Sequence, residues 1–96
     1  MGDYRDSTTV AAVEDALSTT LDGESVILHT GSGKYFGFNE VGTRIWETMQ
    51  EPRSMAEITQ QIETEFDVER ERCRSDIESL VDELVEQDLA RIVEDR

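Results

Sequence analysis

Two hydrophobic periods divide the chain, and the change between them falls at Asn39. Before it the pattern is that of strands. Leu17-Ser-Thr-Thr-Leu21 is rich in β-branched residues and ends at Asp22-Gly23, a strong two-residue hairpin signal. Ser25-Val-Ile-Leu-His-Thr30 reads as a second strand, with Val26 and Leu28 on one face and Ile27 and His29 on the other. Gly31-Ser32-Gly33 is a second turn, and Lys34-Tyr-Phe-Gly-Phe38 a third strand, with Phe36 and Phe38 on one face and Tyr35 on the other. Such short connections imply an antiparallel meander whose outer strands are sheet edges.

From Asn39 the period is 3.6. Asn39 is a good N-cap for a helix running to about Gln50, whose stripe is Val41, Ile45 and Met49 with Trp46 beside them. Gly42 within it is unfavourable by about 1 kcal/mol relative to Ala, which points to a close approach to the sheet. Pro52 breaks the chain, and Ser54-Met-Ala-Glu57 is a capping box opening a second helix with stripe Met55, Ile58, Ile62 and Phe66. Asp67 is expected to cap a third helix, with Val68 as an early anchor and Cys73, Ile77, Leu80, Val81, Leu84, Val85 and Leu89 as its stripe. Ala90 to Val93 has a strand-like character. Residues 1–15 are polar and weakly patterned and are expected as an N-terminal arm. Within them Thr9-Val10-Ala11-Ala12-Val13 reads equally as a short strand or as part of that arm. The remainder, 16–93, is expected as a single domain of α+β class, winged-helix-like: a three-stranded antiparallel meander followed by three helices.

Composition narrows what such a domain does. The formal net charge is −14, from 23 acidic and 9 basic residues, and Lys34 is the sole lysine. Nucleic-acid binding depends on Lys and Arg displacing counterions from phosphate, so neither nucleic acid nor an anionic membrane is an expected partner. The acidity reads first as a solvated surface, and beyond that as salt adaptation or the steering of a basic partner. No apolar run approaches the ~20 residues that cross a bilayer. The acidic start of the chain lacks the apolar region of a secretory signal. A single cysteine, Cys73, rules out an intrachain disulfide or a cysteine-cluster zinc site and fits the cytoplasm.

Catalytic chemistry finds little support. With one histidine, any Ser-His or Cys-His pair must use His29, which sits mid-strand, while Cys73 lies on an apolar helix stripe and reads as a small core residue. The many carboxylates are spaced mostly as solvent faces of helices, and no EF-hand spacing is present. Gly31-Ser32-Gly33-Lys34 precedes a strand, so a hairpin turn fits better than a phosphate loop. An acyl carrier would place a serine at a helix start, whereas Ser79 is mid-helix. What remains is the exposed edge of Lys34–Phe38. Such an edge is protected, paired with a second copy in a homodimer, or used to receive an added strand. Physics alone leaves these uses open.

The segment Gly33-Lys-Tyr-Phe-Gly-Phe-Asn-Glu-Val-Gly-Thr-Arg-Ile-Trp46 resembles the signature of the PqqD-like family. So do Pro52-Arg53-Ser54, Phe66-Asp67-Val68, Cys73-Arg74-Ser75-Asp76-Ile77 and Leu84-Val85-Glu86-Gln87-Asp88-Leu89. The similarity runs from about Leu17 to Val93, and the order of the motifs carries it. The resemblance implies a RiPP recognition element, a non-catalytic peptide chaperone without a cofactor or metal. Such a domain binds the leader of a ribosomally made precursor peptide and presents it to a modifying enzyme such as a radical SAM protein, a protease or a cyclase. The leader adds as a strand beside the third strand, against the third helix. Carried onto this chain, the edge is Lys34, Tyr35, Phe36, Gly37 and Phe38. The helix contributors lie among Cys73, Arg74, Ile77, Leu80, Val81 and Leu84, and the motif does not say which face the cleft. Asn39, Gly42 and Trp46 read as cap, close-packing and core residues. By its length the chain reads as a free-standing member, and its acidity favours a leader carrying basic residues. A winged-helix DNA-binding regulator and an acidic carrier protein are the alternatives.

Overall fold

The computed structural model describes residues 4–93. The elements run β1 (Thr9–Ala12), β2 (Ala16–Leu21), β3 (Glu24–His29), β4 (Tyr35–Phe38), α1 (Glu40–Thr48), β5 (Arg53–Ser54), α2 (Met55–Phe66), α3 (Arg70–Glu86) and β6 (Ala90–Val93). The meander is present as the sequence suggests, an antiparallel sheet in the order β2-β3-β4. Its first turn joins Leu21 to Glu24 through Asp22 and Gly23, at φ 54° and 82°. Positive φ at both central residues makes a turn whose twist matches that of the strands. The second turn ends in a bulge: Gly33, at φ 73°, and Lys34 both bond to His29. His29 itself belongs to this turn, its Nδ1 accepting the Ser32 N–H at 3.1 Å.

A second sheet, in the order β5-β1-β6, is the main addition to what the sequence suggests. Of the two readings open for Thr9–Val13, the strand is the one seen for Thr9–Ala12. Val10 is fully buried and Ala11 nearly so, because β1 lies between β5 and β6. Part of the stretch expected as a polar arm therefore contributes to the core; residues 1–3 of it lie outside the described residues. Ala90–Val93 finds its partner here, pairing antiparallel with β1 from Thr9↔Val93 to Ala12↔Ala90.

The helices form where their caps are. Asn39 Oδ1 accepts the Gly42 N–H at 2.9 Å. Ser54 Oγ accepts the Glu57 N–H at 3.1 Å while Glu57 Oε1 accepts the Ser54 N–H at 2.9 Å, a complete capping box. Asp67 departs from expectation. It ends α2 in the left-handed conformation (φ 51°, ψ 50°), its N–H donating to Glu63 O, rather than starting α3. A helix stop needs a residue that tolerates this conformation, and a short polar side chain does so at low cost. The residue before α3 is Glu69, which makes no side-chain cap, and Val68 is exposed rather than an anchor.

One core joins these parts: Val10, Ile27, Ile45, Trp46, Met49, Met55, Ile58, Ile62, Cys73, Ile77, Val81, Leu84, Leu89 and Ala90. The inner face of the meander supplies Ser25 and Ile27, and its outer face shows Leu17, Val26 and Tyr35 to solvent. Among the described residues no helix is long and apolar enough to cross a membrane.

Candidate functional site

The edge of β4 opposite β3 is free of strand pairing among the described residues. Which backbone groups point outward follows from the turn. His29 donates to Lys34 O at 3.0 Å and accepts from Gly33 N–H at 2.8 Å. Antiparallel pairs alternate between bonded and non-bonded, so Ile27↔Phe36 and Ser25↔Phe38 exchange bonds. Tyr35 and Gly37, opposite Leu28 and Val26 at the non-bonded positions, therefore aim their N–H and C=O groups away from the sheet.

That edge faces a groove of about 460 Å³ lined by Gly37, Phe38 and Asn39, by Val41, Gly42 and Ile45 of α1, and by Asp76, Leu80 and Glu83 of α3. Several local contacts set its shape. A Cβ on Gly42 would stand 3.2 Å from the Phe38 Cβ, so the absence of a side chain lets α1 start against the end of β4. Phe38 lies at 6.4 Å and 47° to the buried Trp46 ring. Ser25 and Thr43 share a buried hydroxyl–hydroxyl hydrogen bond of 2.7 Å, pinning α1 to the middle strand. Gly37 has open space where a side chain would be, which leaves the backbone approachable.

The structure sorts the residues singled out in the sequence. Tyr35, Phe36, Gly37 and Phe38 form the edge, with Phe36 and Phe38 half-buried against the core and Tyr35 turned outward, 71% exposed. Lys34 is exposed in the turn just before it. On α3, Leu80 lines the groove, whereas Cys73, Ile77, Val81 and Leu84 are buried in the core. Arg74 belongs to another face. It pairs with Glu78 at 2.8 Å and with Asp6, and donates to Tyr4 O at 2.8 Å. Tyr4 in turn donates to Asp82 at 3.2 Å, and burial, with Asp82 beside it, pushes the phenol up to about 12. Arg74, Glu78 and Asp82 are spaced four apart, so they make one stripe of α3, and the N-terminal segment lies on it.

Asp76 and Glu83, not singled out from the sequence, also line the groove. With Leu80 they sit at i, i+4 and i+7, a stripe beside the core stripe. Because Leu80 alone is apolar, a search for hydrophobic period assigns it to the core and reads the two acids as solvent face.

Cys73 is a buried free thiol. Its Sγ lies 3.8 Å from Thr59 O, and burial, followed by the carboxylates of Glu63 and Asp76, raises its pKa. The folded chain thus holds the thiol proton more tightly than the unfolded chain. The associated stability is complete below the ordinary thiol range of about 8.5 and is lost as pH rises from there through the raised folded-state value. Native protein at pH 8 is expected to react with a disulfide reagent at least about a hundredfold more slowly than urea-unfolded protein, as buried thiols do. Fast native reaction would contradict the burial.

A second hollow, of about 550 Å³, opens on the outer side of the meander, lined by Thr19, Leu21, Val26, Gly37 and Phe38 among others. The β4–α3 groove combines a row of free backbone groups with a wall on its far side, which is the chemistry needed to hold an extended peptide.

The family model for coenzyme PQQ synthesis protein D (PqqD) matches residues 24–90, from β3 to the start of β6, and so includes both walls of the groove. Two solved structures are similar over most of their length. One is TbiB1 in complex with the TbiA(beta) leader peptide, 30% identical, with a TM-score of 0.79 over 88% of this chain and 99% of that one. The other is lasso peptide synthetase B1 complexed with the leader peptide, 27% identical, with a TM-score of 0.74 over 85% of this chain and 96% of that one. No curated protein matches the chain.

Proposed function

The chain belongs to the PqqD family, and on that premise we propose that it is a non-catalytic chaperone that binds the leader of a ribosomally synthesised precursor peptide by strand addition to β4. The observation that carries this reading is the unpaired β4 edge facing α3 across an open groove, in a chain 30% identical to a protein solved with a leader peptide.

The leader lies along β4 and exchanges hydrogen bonds with the N–H and C=O groups of Tyr35 and Gly37. These bonds are indifferent to sequence. Alternate leader side chains then point to opposite sides of the extended sheet. One set enters the groove and packs on Phe38, Val41 and Leu80, with Ile45 beneath; the other lies beside Tyr35 on the outer face. Selectivity comes from the groove-facing set. Of the helix residues that the family resemblance offers, Leu80 is the one in contact; Cys73, Ile77, Val81 and Leu84 act by holding α3 in place. Bound this way, the leader presents the rest of the precursor to a modifying enzyme such as a radical SAM protein, a protease or a cyclase, in the cytoplasm. Cys73 is buried and its thiol proton is held more tightly by that burial, which accords with a packing role for this residue.

The test is an amide-resolved NMR titration with the leader of the precursor encoded beside the gene. Shifts should concentrate at Tyr35–Phe38 and at Asp76, Leu80 and Glu83, and spare the Tyr4–Arg74 flank of α3. Shifts confined to that flank or to the outer face of the meander would place the peptide elsewhere and overturn the reading. A β4 edge closed by a second copy predicts instead a concentration-dependent spectrum without peptide.

A further inference from the structure

The charges of α3 are unevenly spent. Arg70 pairs with Glu63 at 2.7 Å, and Arg74 with Glu78 and Asp6. Asp76 and Glu83 have no cationic partner among the described residues; both are exposed, and both line the groove. They stand seven residues apart, about 10.5 Å along the helix, with Leu80 between them. Among the described residues, those lining the groove include no basic side chain.

We propose that the β4–α3 groove selects a basic leader segment, in which an apolar residue seated on Leu80 is flanked, two positions away on either side, by Lys or Arg paired with Asp76 and Glu83. This deepens the strand-addition reading and rests on it. The spacing fits. Groove-facing residues of an added strand recur every 6.7 Å or so, which places the two flanking residues roughly 13 Å apart. Long basic side chains close the remaining difference of a few ångströms from the carboxylates. An acidic residue in either place would meet an unpaired carboxylate, so the same feature rejects acidic segments. The net charge of −14 draws such a peptide in, but the two groove acids determine where its charges fall.

The experiment uses the full chain and three short synthetic peptides that differ only in the flanking pair: Arg-Thr-Leu-Thr-Arg, Gln-Thr-Leu-Thr-Gln and Glu-Thr-Leu-Thr-Glu, each within the same neutral extended sequence. Affinities are read by fluorescence anisotropy at low and high salt. The basic peptide should bind roughly tenfold tighter than the neutral one, the worth of two partly exposed ion pairs. The acidic peptide should bind weakest, and high salt should shrink the differences. In Asp76→Asn/Glu83→Gln the difference between the basic, neutral and acidic peptides should vanish. In Glu69→Gln/Glu71→Gln, which removes as much charge outside the groove, the preference should persist. A preference that survives the groove double variant, or is absent from the native chain, overturns the proposal. Gly37→Pro separates the two readings. If it weakens every peptide alike while no charge preference exists, strand addition stands and the charge rule falls. If it weakens none, or if no peptide binds the native chain, the strand-addition reading fails and this proposal with it.

Discussion

Replacing Gly37 with proline is expected to weaken leader binding by roughly 30- to 150-fold while leaving the fold standing. The ring removes one of the outward N–H donors of β4, so a carbonyl of the incoming leader is desolvated without a partner. A lost hydrogen bond with a stranded acceptor costs about 2–3 kcal/mol. The fold is spared because Gly37 stands at a non-bonded position opposite Val26, and its N–H makes no bond to β3. Proline is also tolerated on edge strands when its nitrogen faces outward, and open space surrounds the position. Gly37→Ala, which keeps the donor, should stay within about threefold of the native affinity, since a single methyl group is added where there is room. Calorimetric titration of all three chains, with circular dichroism to verify folding, checks this. A proline variant that is folded and binds normally would remove β4 from the site.

The largest effect on stability is expected from Ile77→Ala. Ile77 is buried in the core, and truncating a core isoleucine to alanine costs about 2–5 kcal/mol, the transfer loss plus the cavity left behind. A domain of this size holds roughly 5–14 kcal/mol in total, so much of the reserve would go. The melting temperature should fall by at least about 8 °C, since each kcal/mol is worth about 4–8 °C here. Leu80, three residues on, is half-buried and lines the groove. Leu80→Ala should cost less than about half as much in stability and reduce leader affinity instead. Thermal melts paired with peptide titrations separate the two. Equal destabilisation by both would mean that Leu80 is core and the groove is misplaced.

These neighbouring residues also show where sequence reading reaches its limit. The turns were legible because Asp22-Gly23 and Gly33 occupy left-handed backbone that few other residues tolerate. Two helix starts were legible because Asn39 and Ser54 carry the oxygen that caps them. Which face of α3 meets which neighbour was not, since Cys73, Ile77, Leu80, Val81 and Leu84 form one broad apolar stripe, and tertiary packing divides it. Arg74 was read as a cleft residue by its place in a motif, yet it binds the segment at Tyr4 and Asp6, about seventy residues away in the chain. The same distance hid β1. Thr-Val-Ala-Ala has too little alternation to announce a strand, and it becomes one because β5 and β6 lie on either side to receive it. Asp67 was misread for a local reason: an aspartate between helices can cap the next or end the last, and here the chain needed the stop.

The pairing of β1 with β6 has a mechanical consequence. Thr9 lies opposite Val93, so a pull applied to the two ends of the described chain meets the β1–β6 hydrogen bonds one after another, as a zipper, rather than all at once in shear. The first bonds to part are the outermost, and peeling β6 inward reaches Ala90 and then the fully buried Leu89. An unfolding machine that grips either end would therefore take the domain apart through its weakest geometry.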